Sequence, residues 1–147
     1  MIASPSLAMT IAICMHQITF RLKTGQFLKE EIEKAVEQNG IKAGVLLSVV
    51  GGLDRVVLRL AGSDVANQTI KTWEGDYEIV SGTGTFSQDG CHLHISLSDK
   101  DGAVIGGHLK DGCRVRFTAE VVIGVFEDVV YRRLPDEMTG FDELTIE

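Results

Sequence analysis

Apolar and polar side chains alternate along most of this chain, which is typical of half-buried β-strands. In the segment 18–23, for example, polar residues separate Ile18, Phe20 and Leu22. A nearly continuous apolar run at 43–50 predicts a central strand covered on both faces, and the two glycines that follow it are expected to end it. The segment 61–75 is polar and is expected to be a loop. Further strands are predicted at 56–60, 77–80, 83–86, 91–98, 114–123 and 125–131.

One segment repeats its apolar residues with the period of a helix instead. This apolar stripe consists of Leu28, Ile32, Ala35 and Val36. We therefore predict a helix from Gln26 to Asn39, which Gly40 ends. Strands joined by short turns, with a single helix packed on one face, define a single-domain α+β fold with a mainly antiparallel sheet.

Three of the four histidines lie within 17 positions of one another. Because side chains on a strand alternate faces, His92 and His94 point to the same side. The turn signal at 99–102 ends in glycine and predicts a three-residue hairpin loop, in which Gly102 takes the position of positive φ. With this loop His108 lies directly opposite His94, whereas a two-residue loop would turn it to the core.

The predicted register collects three imidazoles on one polar face of the sheet. Side chains directly opposite one another have Cβ atoms about 4.5 to 5.5 Å apart, which is close enough to share an ion. Neutral imidazoles suit zinc and similar divalent metals, and three histidines with a water form a known open coordination set. We therefore predict that His92, His94 and His108 bind a divalent metal, with zinc as the expected ion. The alternative is that they form hydrogen bonds across a subunit interface.

Four glycines surround the histidine strand in the predicted sheet: Gly82, Gly84, Gly106 and Gly107. If the turn at 87–90 has the same three-residue loop, Gly84 lies opposite His94 on the other side, and Gly106 faces Ser96 across the hairpin. Such neighbours without side chains would leave a shallow floor that a ligand can approach. The alternative is that the glycines mark bulges and strong twist.

Composition narrows the classes of function. The net charge of −7 and the sequence pI near 5.1 argue against broad contact with nucleic-acid phosphates. Three cysteines without Cys-x-x-Cys spacing indicate a reducing cytosol rather than a disulfide framework. The apolar run at 7–15 is too short to cross a bilayer and lacks the basic start of a signal peptide, so we interpret it as a leader or a first strand. No membrane partner is expected.

Several segments resemble the plants-and-prokaryotes conserved (PPC) domain. In the order of that family they are RLKTG at 21–25, YEIVSG at 77–82, GCHLHISLSD at 90–99, GGHL at 106–109 and TAEVVI at 118–123. The resemblance divides the chain into a leader or first-strand segment at 1–17, a PPC-like domain at 18–131 and an acidic tail at 132–147. We expect the tail to be mobile. The resemblance also implies an antiparallel sheet with a flanking helix, association into trimers, and a metal at the histidine cluster.

The same resemblance raises the question of DNA binding. Plant PPC domains are joined to AT-hooks, Arg-Gly-Arg-Pro segments that enter the minor groove, and prokaryotic members are described as DNA-binding by analogy. This chain contains no such segment, and Arg132-Arg133-Leu134-Pro135 lacks the central glycine that a hook needs. A plant segment linked to partner recruitment, Gly-Arg-Phe-Glu-Ile-Leu, corresponds to 75–80 here. Asp76 replaces its arginine, which disfavours the same protein partner.

Two classes of function remain open. The one we favour is a non-catalytic homotrimeric binding module, DNA-binding or regulatory, with a three-histidine metal site. The other is a small metal-dependent enzyme, in which the ion lowers the pKa of a bound water to about 7. Glu78 and Glu120 are its candidate general bases, although they could equally pair with arginines across an interface. The pattern identifies no DNA-contacting residue.

Overall fold

The computed structural model describes residues 14–147. Their elements are β1 (Met15–Lys23), α1 (Leu28–Gln38), β2 (Ala43–Arg59), β3 (Ile70–Ser87), β4 (Gly90–Ser98), β5 (Val104–Leu109), β6 (Arg114–Phe126), β7 (Tyr131–Pro135) and β8 (Asp142–Ile146). A mainly antiparallel sheet with a single helix confirms the predicted α+β fold. Most of the apolar run at 7–15 lies outside the described residues, and its last residue begins β1. No helix within residues 14–147 has the length and apolar character needed to cross a membrane.

The main sheet has the strand order β1-β6-β2-β3-β4-β5, and its last strand returns to β2. In this second pairing Leu58 lies opposite Leu109, and Arg59 lies opposite His108. The sheet therefore curls on itself through β2, β3, β4 and β5. This closure brings a residue of β2 beside the histidines, although 33 positions of the chain separate β2 from the first of them.

The helix packs its apolar stripe against the sheet, as its periodicity predicts. Leu28, Ile32 and Val36 follow one another at intervals of four residues and are all buried. They meet a core that includes Phe86 and Leu93, both almost fully buried. Burying a side chain of this size contributes about 1.5 to 3 kcal/mol, so this packing decides which face of each strand points inward.

The turn between β4 and β5 confirms the predicted three-residue loop. His94 lies opposite His108, and Leu97 lies opposite Ile105. Gly102 has a φ of +79°, the left-handed conformation in which glycine costs least. The Asp99 carboxylate accepts hydrogen bonds from the backbone N–H groups of Asp101 and Ala103, each at 2.9 Å. The loop chemistry therefore fixes the register that faces the histidines the same way.

The turn between β3 and β4 differs from its prediction. Ser87 pairs with Gly90, so the loop has two residues and the register shifts by one. Thr83, not Gly84, lies opposite His94, and Gly84 lies opposite the buried Leu93. The prediction that Gly84 lies directly opposite His94 is therefore wrong. The physical reason is that the Ser87 hydroxyl bridges the short loop, donating to the Gly90 carbonyl at 3.0 Å and accepting from the Asp89 N–H at 3.2 Å.

Two strands are longer than the sequence pattern predicts. β2 continues through Gly51-Gly52, with a shift of register there instead of an end. β3 begins at Ile70, within the segment expected to be a loop. Pairing across the sheet explains the difference, since Ile70 lies opposite Arg59 and Trp73 lies opposite Val56. The last part of the expected loop is therefore held by a partner that is distant in sequence.

The acidic segment at 132–147 forms most of a β-hairpin, whose strands are β7 and β8. The expectation that this segment is mobile is therefore wrong. Tyr131 pairs with Ile146 at the open end of β7 and β8. The Arg132 guanidinium donates to the Asp89 carboxylate with an Nε–Oδ2 distance of 2.7 Å. The Tyr131 N–H also donates to the Lys42 carbonyl at 3.0 Å. These contacts with the turn before β4 and with the start of β2 hold the hairpin against the sheet.

Candidate metal centre

Two neighbouring strands supply the three histidines. His92 and His94 lie two residues apart on β4, and His108 lies on β5. The residues between and beside them on β4, Leu93 and Ile95, are 1% and 4% exposed. Burial of these apolar side chains fixes the orientation of the strand, so the imidazoles are presented together on the opposite face.

The ring nitrogens are close enough to bind one ion. The Nε2 atoms of His92 and His94 are 3.0 Å apart, and one potential ligand nitrogen from each of the three rings lies within 4.8 Å of the others. Tetrahedral zinc with Zn–N bonds of about 2.0 to 2.1 Å separates two ligand nitrogens by roughly 3.3 Å. The set therefore fits a zinc-sized ion after small side-chain adjustments. Within residues 14–147 no carboxylate or thiol joins this group, which leaves a coordination position for a non-protein ligand.

Two of the imidazoles are held in the uncharged form that binds metals. Burial, aided by the nearby Arg59 guanidinium, lowers the pKa of His108 to about 3. Burial and the neighbouring His94 also lower the pKa of His92 from its ordinary value of 6.5. At neutral pH both rings are therefore unprotonated at one nitrogen and can offer a lone pair without first losing a proton.

Arg59 is a neighbour of the centre that the sequence pattern does not reveal. Its Nη2 atom lies 3.4 Å from His108 Nδ1, across the pairing of β2 with β5. Gly107 permits this approach, because a Cβ atom at that position would lie 2.7 Å from the Arg59 carbonyl oxygen. The sequence offered only one sign of this contact, the glycine next to His108. It did not indicate which strand that glycine approaches.

The C-terminal hairpin covers one side of the centre and forms a cleft of about 280 Å³. The cleft is lined by residues that include Arg59, His92, His108, Arg133, Phe141 and Glu143. The Arg59 guanidinium lies over the Phe141 ring, 4.7 Å from its centroid, and Arg133 Nη2 donates to Thr85 Oγ1 at 2.6 Å. The sequence analysis did not predict the hairpin, because the many acidic residues of this segment are typical of a mobile tail and its two strands are short. The turn residues Asp136 and Gly140 were the signal that could have found it.

The other predicted site residues are spread more widely. Ser96 and Gly106 pair across β4 and β5, two positions along the strands from the pair of His94 and His108. Glu78 and Glu120 are exposed and do not line the cleft. Their strand partners are Gly52 and Ser98 for Glu78, and Arg21 and Val50 for Glu120. The carboxylates that line the cleft are those of Asp89, Asp142 and Glu143.

The fourth histidine and the cysteine beside His92 have separate environments. His16 lies on the edge strand β1, half exposed, with its Nδ1 atom 2.9 Å from a carboxylate oxygen of Glu127. The Cys91 thiol donates to the Glu33 carboxylate with an S–O distance of 3.2 Å. Burial, followed by the charge of Glu33, raises the pKa of Cys91 to about 12. Neither side chain therefore adds a ligand to the three-histidine group.

Comparison with known proteins establishes the family. A sequence profile described as the Plants and Prokaryotes Conserved (PCC) domain, the PPC domain named above, matches residues 9–127. The chain therefore belongs to this family, and the resemblance seen in the sequence is confirmed. A hypothetical protein from Salmonella cholerae-suis has a similar structure, with a TM-score of 0.86 and 34% identity over 93% of this chain and 96% of that one.

Other relatives differ in how much of their own length the match covers. A metal-containing protein from Archaeoglobus fulgidus is 28% identical with a TM-score of 0.79, over 91% of this chain and 95% of that one. The bifunctional protein GlmU of a Synechococcus strain is 40% identical over 86% of this chain but only 20% of its own length. The AT-hook motif nuclear-localized protein 10 of Arabidopsis thaliana is 33% identical over 63% of this chain and 28% of its own length. The chain thus spans about a fifth of the first of these two curated relatives and just over a quarter of the second.

Proposed function

We propose that this protein is a homotrimeric, non-catalytic PPC module that binds one divalent metal ion, zinc, through His92, His94 and His108. The observation that carries the proposal is the convergence of three imidazole nitrogens within 4.8 Å on one face of the β4–β5 hairpin. Burial keeps two of the rings uncharged at neutral pH. The description of the Archaeoglobus relative as metal-containing also supports it.

Metal analysis tests the centre directly. Protein purified without a histidine tag or added metal is expected to contain about one zinc ion per chain, and His94→Ala is expected to lose it. His16→Ala is the matched control, because it removes an exposed histidine on the opposite edge of the sheet. Equal metal content in wild type and His94→Ala, or no uptake of zinc by the wild type, would refute the metal site.

The assembly into trimers is supported by apolar side chains on the central strands of the sheet. Leu47 and Val50 on β2 and Val80 on β3 are 49%, 51% and 57% exposed. Exposed apolar patches on a protein surface often mark interaction sites, and a second copy of the chain is the cover that we propose for these side chains. The hydrophobic effect would favour association at about 25 cal/mol for each Å² removed from water.

Light scattering measures the assembly without assuming its geometry. A mass three times the 16.0 kDa of one chain is expected. Val50→Asp places a charge among these apolar groups and is expected to shift the mass toward one chain. Val65→Asp is the control, because Val65 is 51% exposed but lies in the loop between β2 and β3. A wild-type mass of 16.0 kDa would refute the trimer.

A regulatory role, with or without DNA contact, fits a module of this kind better than catalysis. A hydrolytic metal centre needs a general base within reach of the bound water, and neither Glu78 nor Glu120 lines the cleft. Asp89 lines it, but its carboxylate is bound by Arg132. The alternative, a metal-dependent enzyme, would have to use Asp142 or Glu143 of the C-terminal hairpin. It predicts metal-dependent turnover that Glu143→Gln abolishes while metal content stays unchanged.

A further inference from the structure

Two arginines of the cleft have hydrogen-bond donors without an anionic partner. Within residues 14–147, neither Arg59 nor Arg133 has a carboxylate oxygen within 4.0 Å. Arg133 donates to a hydroxyl, that of Thr85, while its Nε atom is buried without a partner. Arg59 reaches a ring nitrogen of His108 at 3.4 Å and lies over the Phe141 ring. Both guanidinium groups line the same cleft as His92 and His108.

The contact between Arg59 and His108 is incompatible with metal binding by His108. A guanidinium can only donate, so the contact requires an unprotonated Nδ1 on His108. When a neutral imidazole binds a metal through one nitrogen, its other nitrogen carries a proton. Neither nitrogen of His108 can then accept from Arg59, whichever one binds the ion. Binding of the metal therefore breaks the hydrogen bond between Arg59 and His108. The charged Arg59 guanidinium then has a donor inside the cleft without an acceptor, which is unfavourable.

We propose that the cleft of the metal-loaded protein binds a small oxyanion, a carboxylate or a phosphate group, through Arg59 and Arg133 beside the open coordination position. The proposal rests on the metal site proposed above. Guanidinium groups match the paired oxygens of carboxylates and phosphates, and charge-assisted hydrogen bonds of this kind are about twice as strong as neutral ones. Anion and metal then bind cooperatively, since each raises the affinity for the other.

The dimensions and charges of the cleft limit the size of the ligand. Its volume of about 280 Å³ is just below the range of roughly 300 to 1,000 Å³ that is typical of small-molecule pockets. The ring of Phe141 offers an apolar wall, whereas the carboxylates of Asp142 and Glu143 repel a highly charged ligand. A small acid with one or two negative charges fits these conditions, and an extended nucleic-acid strand does not.

Cobalt(II) provides a spectroscopic test, because its visible absorption reports changes in its ligands. Cobalt-loaded protein is titrated with acetate, with inorganic phosphate and with the neutral acetamide, and the metal-free protein is titrated in parallel by calorimetry. Arg59→Gln and Arg133→Gln are compared with Arg21→Gln, which alters an exposed arginine on the edge strand β1. Cobalt affinity is measured separately for every variant.

We expect the loaded wild type to bind at least one of the two anions at least tenfold more tightly than the metal-free protein does, with no response to acetamide. The anion that binds more tightly identifies the ligand as carboxylate-like or phosphate-like. Arg59→Gln should weaken anion binding at least tenfold but hold cobalt as tightly or more tightly, because it removes a positive charge beside His108. A mere loss of structure would weaken both. Arg133→Gln should also weaken anion binding, and Arg21→Gln should not.

Three results would overturn the inference while leaving the metal site intact. The anion affinity could be unchanged in both Arg59→Gln and Arg133→Gln, or it could be equal with and without metal. The third such result is a response to acetamide equal to the response to the anions. Loss of both cobalt and anion in Arg59→Gln and also in Arg59→Lys would show that Arg59 is structural and would equally refute it. Failure of the wild type to bind any metal would refute the metal site itself. The measurement of cobalt affinity separates the two cases.

Discussion

Replacing Gly107 by alanine tests how β5 is held against β2, and therefore how His108 is positioned. A Cβ atom at this position would lie 2.7 Å from the Arg59 carbonyl oxygen and 3.3 Å from Leu58 Cβ. Real Cβ contacts are essentially never shorter than 3.0 Å, and no rotamer change can move a backbone oxygen away. The two strands must therefore separate by about 0.3 Å or more, against the tight packing of the interior.

The expected cost follows from this overlap. Inserting a methyl group into a packed interior costs about 1 to 3 kcal/mol. For a domain of this size each kcal/mol lowers the melting temperature by roughly 2 to 4 °C, so we expect Gly107→Ala to melt about 2 to 12 °C below the wild type. Displacement of His108 from the other two rings should also weaken zinc binding roughly tenfold, a typical cost of disturbing the groups that orient a metal ligand.

Thermal unfolding by circular dichroism and competitive zinc titration measure the two effects. Gly52→Ala is the matched control, since its Cβ atom would meet the Tyr77 carbonyl oxygen at an ordinary 3.4 Å. We expect the control to keep both its melting temperature and its zinc affinity. If Gly107→Ala has the same melting temperature and the same zinc affinity as the wild type, the contact between β2 and β5 does not position His108.

Other expectations concern the hairpin, the thiols and nucleic acid. Asp89→Asn removes the carboxylate that binds Arg132, so amide hydrogen exchange in the segment 131–146 should accelerate while exchange in β4 stays slow. Because the Arg132 guanidinium lowers the pKa of Asp89 below its ordinary 3.8, the wild-type hairpin should loosen similarly only when the pH falls below about 4. Iodoacetamide at pH 8 should label the exposed Cys14 much faster than Cys91, because burial raises the pKa of Cys91 to about 12. Equal labelling rates, measured by mass spectrometry, would contradict the buried environment of Cys91. Duplex DNA should bind weakly and dissociate at moderate salt, because the chain carries a net charge of −7, and tight selective binding in an electrophoretic shift assay at physiological salt would overturn this expectation.

Local patterns predicted the parts of this protein that depend on near neighbours in the chain. The spacing of Leu28, Ile32 and Val36 identified the helix, because burial of one face follows directly from the helical period. The glycine at the end of the turn before β5 identified the loop length, and with it the pairing of His94 with His108. The turn before β4 was predicted incorrectly, since a serine hydroxyl closes a two-residue loop there and the pattern of apolar residues did not reveal it.

The amino-acid sequence by itself determined the α+β class, the family and the grouping of three imidazoles, since alternation and turn chemistry act over a few residues. Tertiary structure alone decided that β2 meets β5, which places Arg59 beside His108, and that the C-terminal hairpin lines one side of the cleft. Both depend on pairing between segments far apart in the chain. The free energy of such contacts comes from packing and charge complementarity in three dimensions, and no local pattern of residues encodes it.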